Sequence, residues 1–574
     1  MVVTISMWTR RNLFGVLVVA LAYWVVILAT SPASYSDTSA YASAAVGYED
    51  HGFSENGNPF WEFGHVLWRP AAWVLWRAGK PLLQPHFAGN RLLEVSAALV
   101  VLNLILGFLA ALLVYGLARK LTARTWEAWV VALVFICANP ILNYVQTGMA
   151  YVPGLACQCA ALYLLAGVAE GAPATRSRLW GAGVCLALSV LLWFPYVLSC
   201  PGILAAALFW KRDPSPWRDE EARRRIRFLV PVVVVAALVV GLVYASIMLP
   251  NGITTLGKTR AWVATAGHGW SQDRTLLRLG TGLPRALMDL GNDGLILKRF
   301  LFRDPYAPVS AAGLLRLGLW KVVLVYFSLM VLVYRLWRTR QRGILLALVI
   351  AALPVLLFAL LLFEPGSPER FMPVFPVLFP AFAAAFAGFS LRDWSKSVLA
   401  LLFVSIVAAN LGSYGLDAHR GDRSAIERIT VLQEHFTPNS VVVLLSYRDQ
   451  MSRFFDRHPF DPINVRGGLP LYAVITAGTA GTATWASEFA NCVLETWKAG
   501  GEVWLSKRLL SARPKPDWNW VESEDRRIAW VSLPRFFHQL DTGADVGGDD
   551  GFLRLERSEH NGRILLSALA GGAR

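Results

Sequence analysis

Apolar residues gather in long runs, at roughly 13–30, 92–117, 127–145, 148–168, 179–194, 196–210, 228–249, 316–337, 343–363, 371–390 and 397–414. A helix of ~20 apolar residues crosses the hydrocarbon of a bilayer, so the pattern predicts eleven membrane spans. The fifth and sixth runs are short. Pro195 in "LLWFPYVLSCPG" breaks them, as expected of a helical hairpin that does not fully cross. Three long polar stretches remain: 31–91, about 250–315 and 415–574.

The first polar stretch contains "EFGHVLWRPAAWVLWRAG", residues 62–79. Val66, Trp73 and Trp76 recur near helical spacing with Arg69 and Arg77 beside them, which predicts an amphipathic helix lying in the headgroup zone. In the tail, "NSVVVLLS" (439–446) and "GEVWLS" (501–506) read as strands. "ATWASEFANCVLETWKAG" between them reads as a helix stopped by Gly500. The expected fold is therefore an α-helical polytopic membrane domain, 1–414, carrying outer loops 31–91 and 250–315, followed by a soluble α/β domain, 415–574. No internal repeat and no Gly-rich phosphate loop is evident.

Composition agrees with the pattern: 55% of the 574 residues are hydrophobic and 16% charged, and mean hydropathy is +0.46. The net charge of +15 sits mostly in short clusters between apolar runs, so it reports topology rather than nucleic-acid binding. With the N-terminus cytoplasmic, Arg10–Arg11, "ARKLTAR", "TRSR", "KRDPSPWRDEEARRRIR", "RLWRTRQR" and "LRDWSK" all face inside. The links "ILNYVQTG" and "FPY" face outside without a basic residue. The expected location is thus the plasma (inner) membrane, multi-pass, with the C-terminal domain exterior. The first apolar run lacks a small-x-small cleavage site and is read as a retained helix. The six cysteines form no disulfide or metal pattern.

Asp37 lies seven residues past Thr30, where the chain leaves the membrane. It reads as the N-cap of a helix beginning in "SDTSAYASAA", or as a general base at the outer membrane face; both roles can coexist. Glu49, Asp50, Glu55, Glu62, His51 and His65 share the loop, but no pair has metal-motif spacing. No cofactor is expected, with a divalent metal left open. Arg91 and Glu94 read as a pair on one helix face. Arg316 and Lys321 open the eighth run, either snorkelling to headgroups or meeting a phosphate. Arg370 in "FEPGSPERFMPVFPVLFP" reads as an anchor paired with Glu369, or as a phosphate clamp at the end of a Pro-rich helix.

An Asp soon after the first span, a helix in a long first outer loop and the late "PERFMPVFP" segment together resemble the GT-C superfamily of integral-membrane glycosyltransferases. The flavour is that of the dolichyl-phosphate-mannose type, protein O-mannosyltransferase-like enzymes and their bacterial relatives. The resemblance covers the layout of about residues 1–415 and rests on two short motifs. It implies a polyprenyl-phosphate sugar donor, an inverting reaction and a catalytic carboxylate in the first outer loop, which would be Asp37. Arg370, with Arg316 and Lys321, would meet the donor phosphate, and His65 and Arg69 would bind substrate. His65 stands in "GHVLWRP" where many members have His-Pro; here the proline is Pro70. Many members also carry an acid in the second outer link, which "NPILNYVQTGMAYVPG" lacks, so Glu62 and Glu94 are the candidate second carboxylates. The acceptor would be lipid, polysaccharide or protein. Membrane lipids are further partners, and nucleic acid is not.

Three other classes stand beside this reading. A transporter would carry acids at mid-span and inverted repeats. An envelope assembly scaffold would not depend on Asp37. An O-antigen ligase or polymerase would use a late catalytic loop, for which the Arg-rich 250–315 stretch is the candidate.

Overall fold

The computed structural model describes residues 10–32, 37–52, 59–87, 91–211, 220–266, 276–290, 309–315, 318–361, 367–417, 439–446, 471–475, 485–511, 533–546 and 551–571, with a few single positions between. They form two compact units: Met1–Leu290 with Gly318–Leu416, and Gly291–Leu317 with Asp417–Arg574.

The first unit is helical. It begins with α1 (Arg10–Leu28), α2 (Thr38–His51), α3 (Trp68–Phe87), α4 (Arg91–Leu121) and α5 (Thr125–Ile136). Next come α6 (Asn139–Tyr144), α7 (Tyr151–Ala169), α8 (Arg176–Leu192), α9 (Cys200–Leu208) and α10 (Glu220–Met248). Among the described residues, seven helices are long and apolar enough to cross a membrane. They correspond to the second, fourth, seventh and last four expected runs. The chain is a multi-pass membrane protein.

Two runs are interrupted, for local reasons. The third breaks at Cys137 and resumes as α6, whose first turn carries Pro140, a residue with no N–H to continue the ladder. The tenth opens as a 3₁₀ segment, Pro368–Val374, before the helix Phe375–Phe386, because Pro373 and Pro376 remove successive donors. Helices meet closely where side chains are small. A Cβ on Gly202 of α9 would lie 2.4 Å from Cβ of Ala351, on the helix Arg342–Leu361.

α3 corrects one expectation. It does not lie on headgroups by its aromatic face: Trp68, Arg69, Ala72 and Trp76 are buried. Acids on neighbouring helices supply the reason. Trp76 Nε1 donates to Glu94 of α4 (2.7 Å), and Trp73 Nε1 and Arg77 Nη1 both donate to Glu49 of α2 (2.7 Å each). The expected Arg91–Glu94 pair is also replaced. Arg91 forks onto the two oxygens of Asp50 at 2.6 Å, a bidentate geometry that a planar guanidinium favours.

The C-terminal unit holds a five-stranded sheet of β1 (Val441–Ser446), β2 (Leu471–Ile475), β3 (Val503–Ser506), β4 (Thr542–Val546) and β5 (Phe552–Leu555), in the order β2-β1-β3-β5-β4. β1 runs parallel to β2 and β3, and the β3–β5 and β5–β4 pairs are antiparallel. The helix Trp485–Lys498 crosses over between β2 and β3, and its Phe489 and Val493 pack with Val441, Val443, Val503 and Leu505. It stops at Gly500, whose φ of +79° suits glycine, while Gly501 N–H caps Thr496 O at 2.9 Å.

Candidate functional site

The segment between α6 and α7 fixes the start of α2. Thr38 Oγ1 accepts from Gly148 N–H (2.9 Å), and Trp68 Nε1 donates to Gly148 O (2.8 Å). Asn103 of α4 donates to the carbonyls of Thr147 (2.6 Å) and Met149 (2.7 Å). A Cβ on Gly148 would sit 2.7 Å from Thr38 Cγ2, so only glycine permits this approach. Asp37 is therefore held at the mouth of α2 by main-chain contacts on its neighbour.

Asp37 is the N-cap residue by backbone: its carbonyl accepts from Tyr41 N–H at 2.9 Å. Its carboxylate makes no capping hydrogen bond, and the residue is exposed. Of the two readings of Asp37, the cap does not occupy the side chain.

Glu62 precedes the 3₁₀ turn Phe63–His65 and is buried, as is Arg69, whose Nη2 bonds and ion-pairs with Glu62 Oε2. The Arg69 guanidinium also lies over the Tyr41 ring, 5.6 Å from its centre. His65 is buried between Tyr41 and α8. Its Nδ1 is 3.2 Å from Leu192 O, which can only accept, so Nδ1 carries the proton. Nε2 then accepts from Tyr41 O–H at 3.3 Å. Burial pushes the imidazole below its ordinary value, so it is neutral near pH 7. Burial, and next the Asp37 charge, push the Tyr41 hydroxyl well above its ordinary value.

A second group arrives from the late Pro-rich segment. Glu369 is buried and accepts from Tyr144 O–H at 2.7 Å. Arg370 Nη2 is 3.7 Å from Glu369 Oε1, and its guanidinium lies 5.6 Å from the centre of the Trp193 ring. Tyr151, first residue of α7, joins the two groups. Its ring packs against Tyr144 (4.9 Å), Trp193 (4.6 Å) and His65 (6.4 Å).

Of the residues singled out from sequence, Glu62, Arg69, His65 and Arg370 are thus joined to Tyr151 through a chain of ion-pair, ring and hydrogen-bond contacts by way of Tyr41 and Trp193, and Asp37 stands one helical turn before Tyr41. Glu94 is buried against Trp76, and Lys321 Nζ donates to Asp289 O at 3.0 Å. Arg316 and Glu55, and the His51 side chain, lie outside the described residues. Sequence reasoning gave Glu369 only an anchoring role and passed over Tyr144, Tyr151 and Trp193. Their signal was faint: tyrosines at both ends of an acid-free link, and a Trp beside a helix-breaking Pro195. Among the described residues, no three His, Cys, Asp or Glu gather as a metal-ligand set.

No family model and no curated protein matches the sequence. Solved structures similar to the chain include ArnT from Cupriavidus metallidurans in the apo state, at 13% identity and TM-score 0.49 over 95% of this chain and 97% of that one. ArnT bound to undecaprenyl phosphate matches at 12% identity and TM-score 0.49, over 96% and 98%. The archaeal oligosaccharyltransferase AglB from Archaeoglobus fulgidus, in complex with an inhibitory peptide and a dolichol-phosphate, matches at 12% and 0.42, over 96% and 75%. ArnT and AglB are both GT-C superfamily membrane enzymes, the class the sequence resembles.

Proposed function

We propose that the chain is a membrane glycosyltransferase that moves a sugar from a polyprenyl-phosphate donor to a hydroxyl acceptor. The observation that carries this reading is an aromatic wall, Tyr41–His65–Tyr151–Trp193, with an exposed, non-capping carboxylate one turn before its first residue and a largely buried arginine over its last, at the start of a helix long and apolar enough to cross a membrane. A polyprenyl phosphate lies in the bilayer and reaches such a site laterally.

In the proposed step, Asp37 takes the proton of the acceptor hydroxyl as its oxygen attacks the anomeric carbon. The bond from that carbon to the phosphate oxygen breaks, and polyprenyl phosphate leaves with the electron pair. Attack opposite the leaving group inverts the centre. Phosphate is a good leaving group, so one base and one cation suffice. Arg370 is the cation: its planar fork suits phosphate oxygens. Glu369 orients Arg370, and Tyr151 and Trp193 supply flat faces on which a sugar ring packs. Glu62 is held by Arg69 and acts as a structural anion. The acceptor side is the face of the first loop, exterior by the Lys/Arg asymmetry of the sequence.

The test uses the purified full chain with a panel of polyprenyl-phosphate sugars. Transfer, or slow donor hydrolysis, is expected with at least one donor. Asp37→Asn should keep expression and thermal stability and lower transfer at least about a hundredfold. Wild-type transfer by Asp37→Asn would remove Asp37 as base. No turnover of any donor would sink the reading.

A further inference from the structure

α7 starts at Tyr151 in the candidate site and ends at Ala169, 19 residues on, or about 28 Å at 1.5 Å per residue. At that far end lies an open cleft of about 700 Å³ lined by Arg119, Lys120, Glu170, Trp210, Lys211 and Arg225. Among the described residues, four cations face one anion there, a net +3.

Every lining residue sits at the end of an apolar helix. Arg119 and Lys120 close α4, Glu170 caps α7, Trp210 and Lys211 follow α9, and Arg225 opens α10. The cleft is therefore at the membrane boundary, on the side that the basic loops assign to the cytoplasm. Part of its charge has a structural use. Arg225 donates to the carbonyls of Leu208 (3.0 Å), Trp210 (3.1 Å) and Ala169 (3.0 Å), satisfying two helix C-termini. Glu170 takes Lys120 at 2.5 Å, Lys211 at 2.7 Å and Trp210 Nε1 at 3.1 Å.

Arg119 Nη1 adds a bond to Thr122 O at 3.4 Å, just past the end of α4, and Lys120 Nζ lies 5.5 Å from the centre of the Tyr163 ring. The charge surplus remains: among the described residues one carboxylate faces two lysines and the Arg119 guanidinium, and Arg119 Nε is buried with no hydrogen-bond partner among them. Lys211 also holds a φ of +56°, a left-handed backbone rare for a lysine.

We infer that this cleft is a second, non-catalytic binding site for a phosphate-bearing anion. A surplus of three positive charges at a helix-end boundary matches an anionic phospholipid headgroup, and free polyphosphate shares the same chemistry. The site lies one membrane thickness from the proposed reaction and does not depend on it.

Native mass spectrometry of the full chain, with cardiolipin, phosphatidylcholine or inorganic pyrophosphate added, tests this. Retention of cardiolipin over phosphatidylcholine is expected. Lys211→Asn keeps the left-handed backbone and, like Arg119→Gln, should weaken retention roughly fivefold, the effect of one cation near a lipid surface. Pyrophosphate displacing cardiolipin would identify a soluble anion as an equal occupant and support the shared chemistry. Equal retention of cardiolipin and phosphatidylcholine without pyrophosphate binding, or retention unchanged in both variants, would overturn the site. Unchanged thermal unfolding of each variant guards against loss by misfolding.

Discussion

Replacing Arg69 by Met strands the carboxylate of Glu62. Glu62 and Arg69 are both nearly excluded from solvent, at 5% and 7% exposure, and Glu62 is bonded to Arg69 across the turn that begins α3. Breaking a buried pair from one side costs about 3–5 kcal/mol, because the remaining charge stays desolvated. That cost falls on the local fold of the first loop. Its reporters are His65 N–H, bonded to Glu62 O at 3.2 Å, and Leu67 N–H, bonded to Leu191 O at 3.1 Å. At tenfold per roughly 1.4 kcal/mol, amide exchange at these positions should quicken by at least about a hundredfold in Arg69→Met. The double variant Glu62→Gln/Arg69→Met removes both charges and should recover most of the protection. Hydrogen–deuterium exchange read by mass spectrometry on peptides spanning 60–72 is the assay. Exchange in Arg69→Met within a factor of about two of wild type would show that water screens the pair, and the anchoring role given to Glu62 would fall.

Three further outcomes follow from the same geometry. His65 is held neutral below its unfolded value of about 6.5, so its contribution to stability is present above that pH and is lost as pH falls toward the lowered folded value. Thermal unfolding of His65→Gln should lack that acid-side decline. Trp76→Phe leaves the buried Glu94 carboxylate without its 2.7 Å donor and should destabilise by about 1.5–3 kcal/mol in denaturant titration. Trp73→Phe, whose acceptor Glu49 also holds Arg77, should cost less. Gly148→Ala drives a methyl to 2.7 Å of Thr38 and should cost about 1–3 kcal/mol, with transfer falling although Asp37 is untouched; an unchanged transfer rate would separate Thr38 from the placement of Asp37.

The parts of this fold that local pattern governs were legible. Seven long apolar runs became helices near their expected bounds, and β1, β3 and the helix between them fell where alternation, apolar runs and Gly500 put them. β2, β4 and β5 escaped; β4, "TGADV", is exposed at four of its five positions, so no apolar alternation marks it, and pairing with β5 makes it a strand. Asp37 was legible because it follows an apolar run in a cap-like context. Its partners were not, because they come from distant elements. Arg91 was assigned to Glu94, three residues away, and instead meets Asp50 from α2, 41 residues earlier. Tyr144 and Glu369 are 225 residues apart and meet only once the helices pack. Arg69 looked like a headgroup contact because its charge was visible and its burial against Glu62 was not.

In the link between α6 and α7, where Gln146 reaches Thr30 by its side chain, α2, α3 and α4 grip residues 147–149 by their main chain: Thr38 on an amide, Trp68 and Asn103 on three carbonyls. A peptide group is the same whatever residue bears it. Selection can therefore rewrite positions 147 and 149 within limits of size and polarity, while position 148 and the residues that do the gripping stay fixed. Related chains that share this architecture can diverge widely in the link itself and still keep the acid at the mouth of α2 in register.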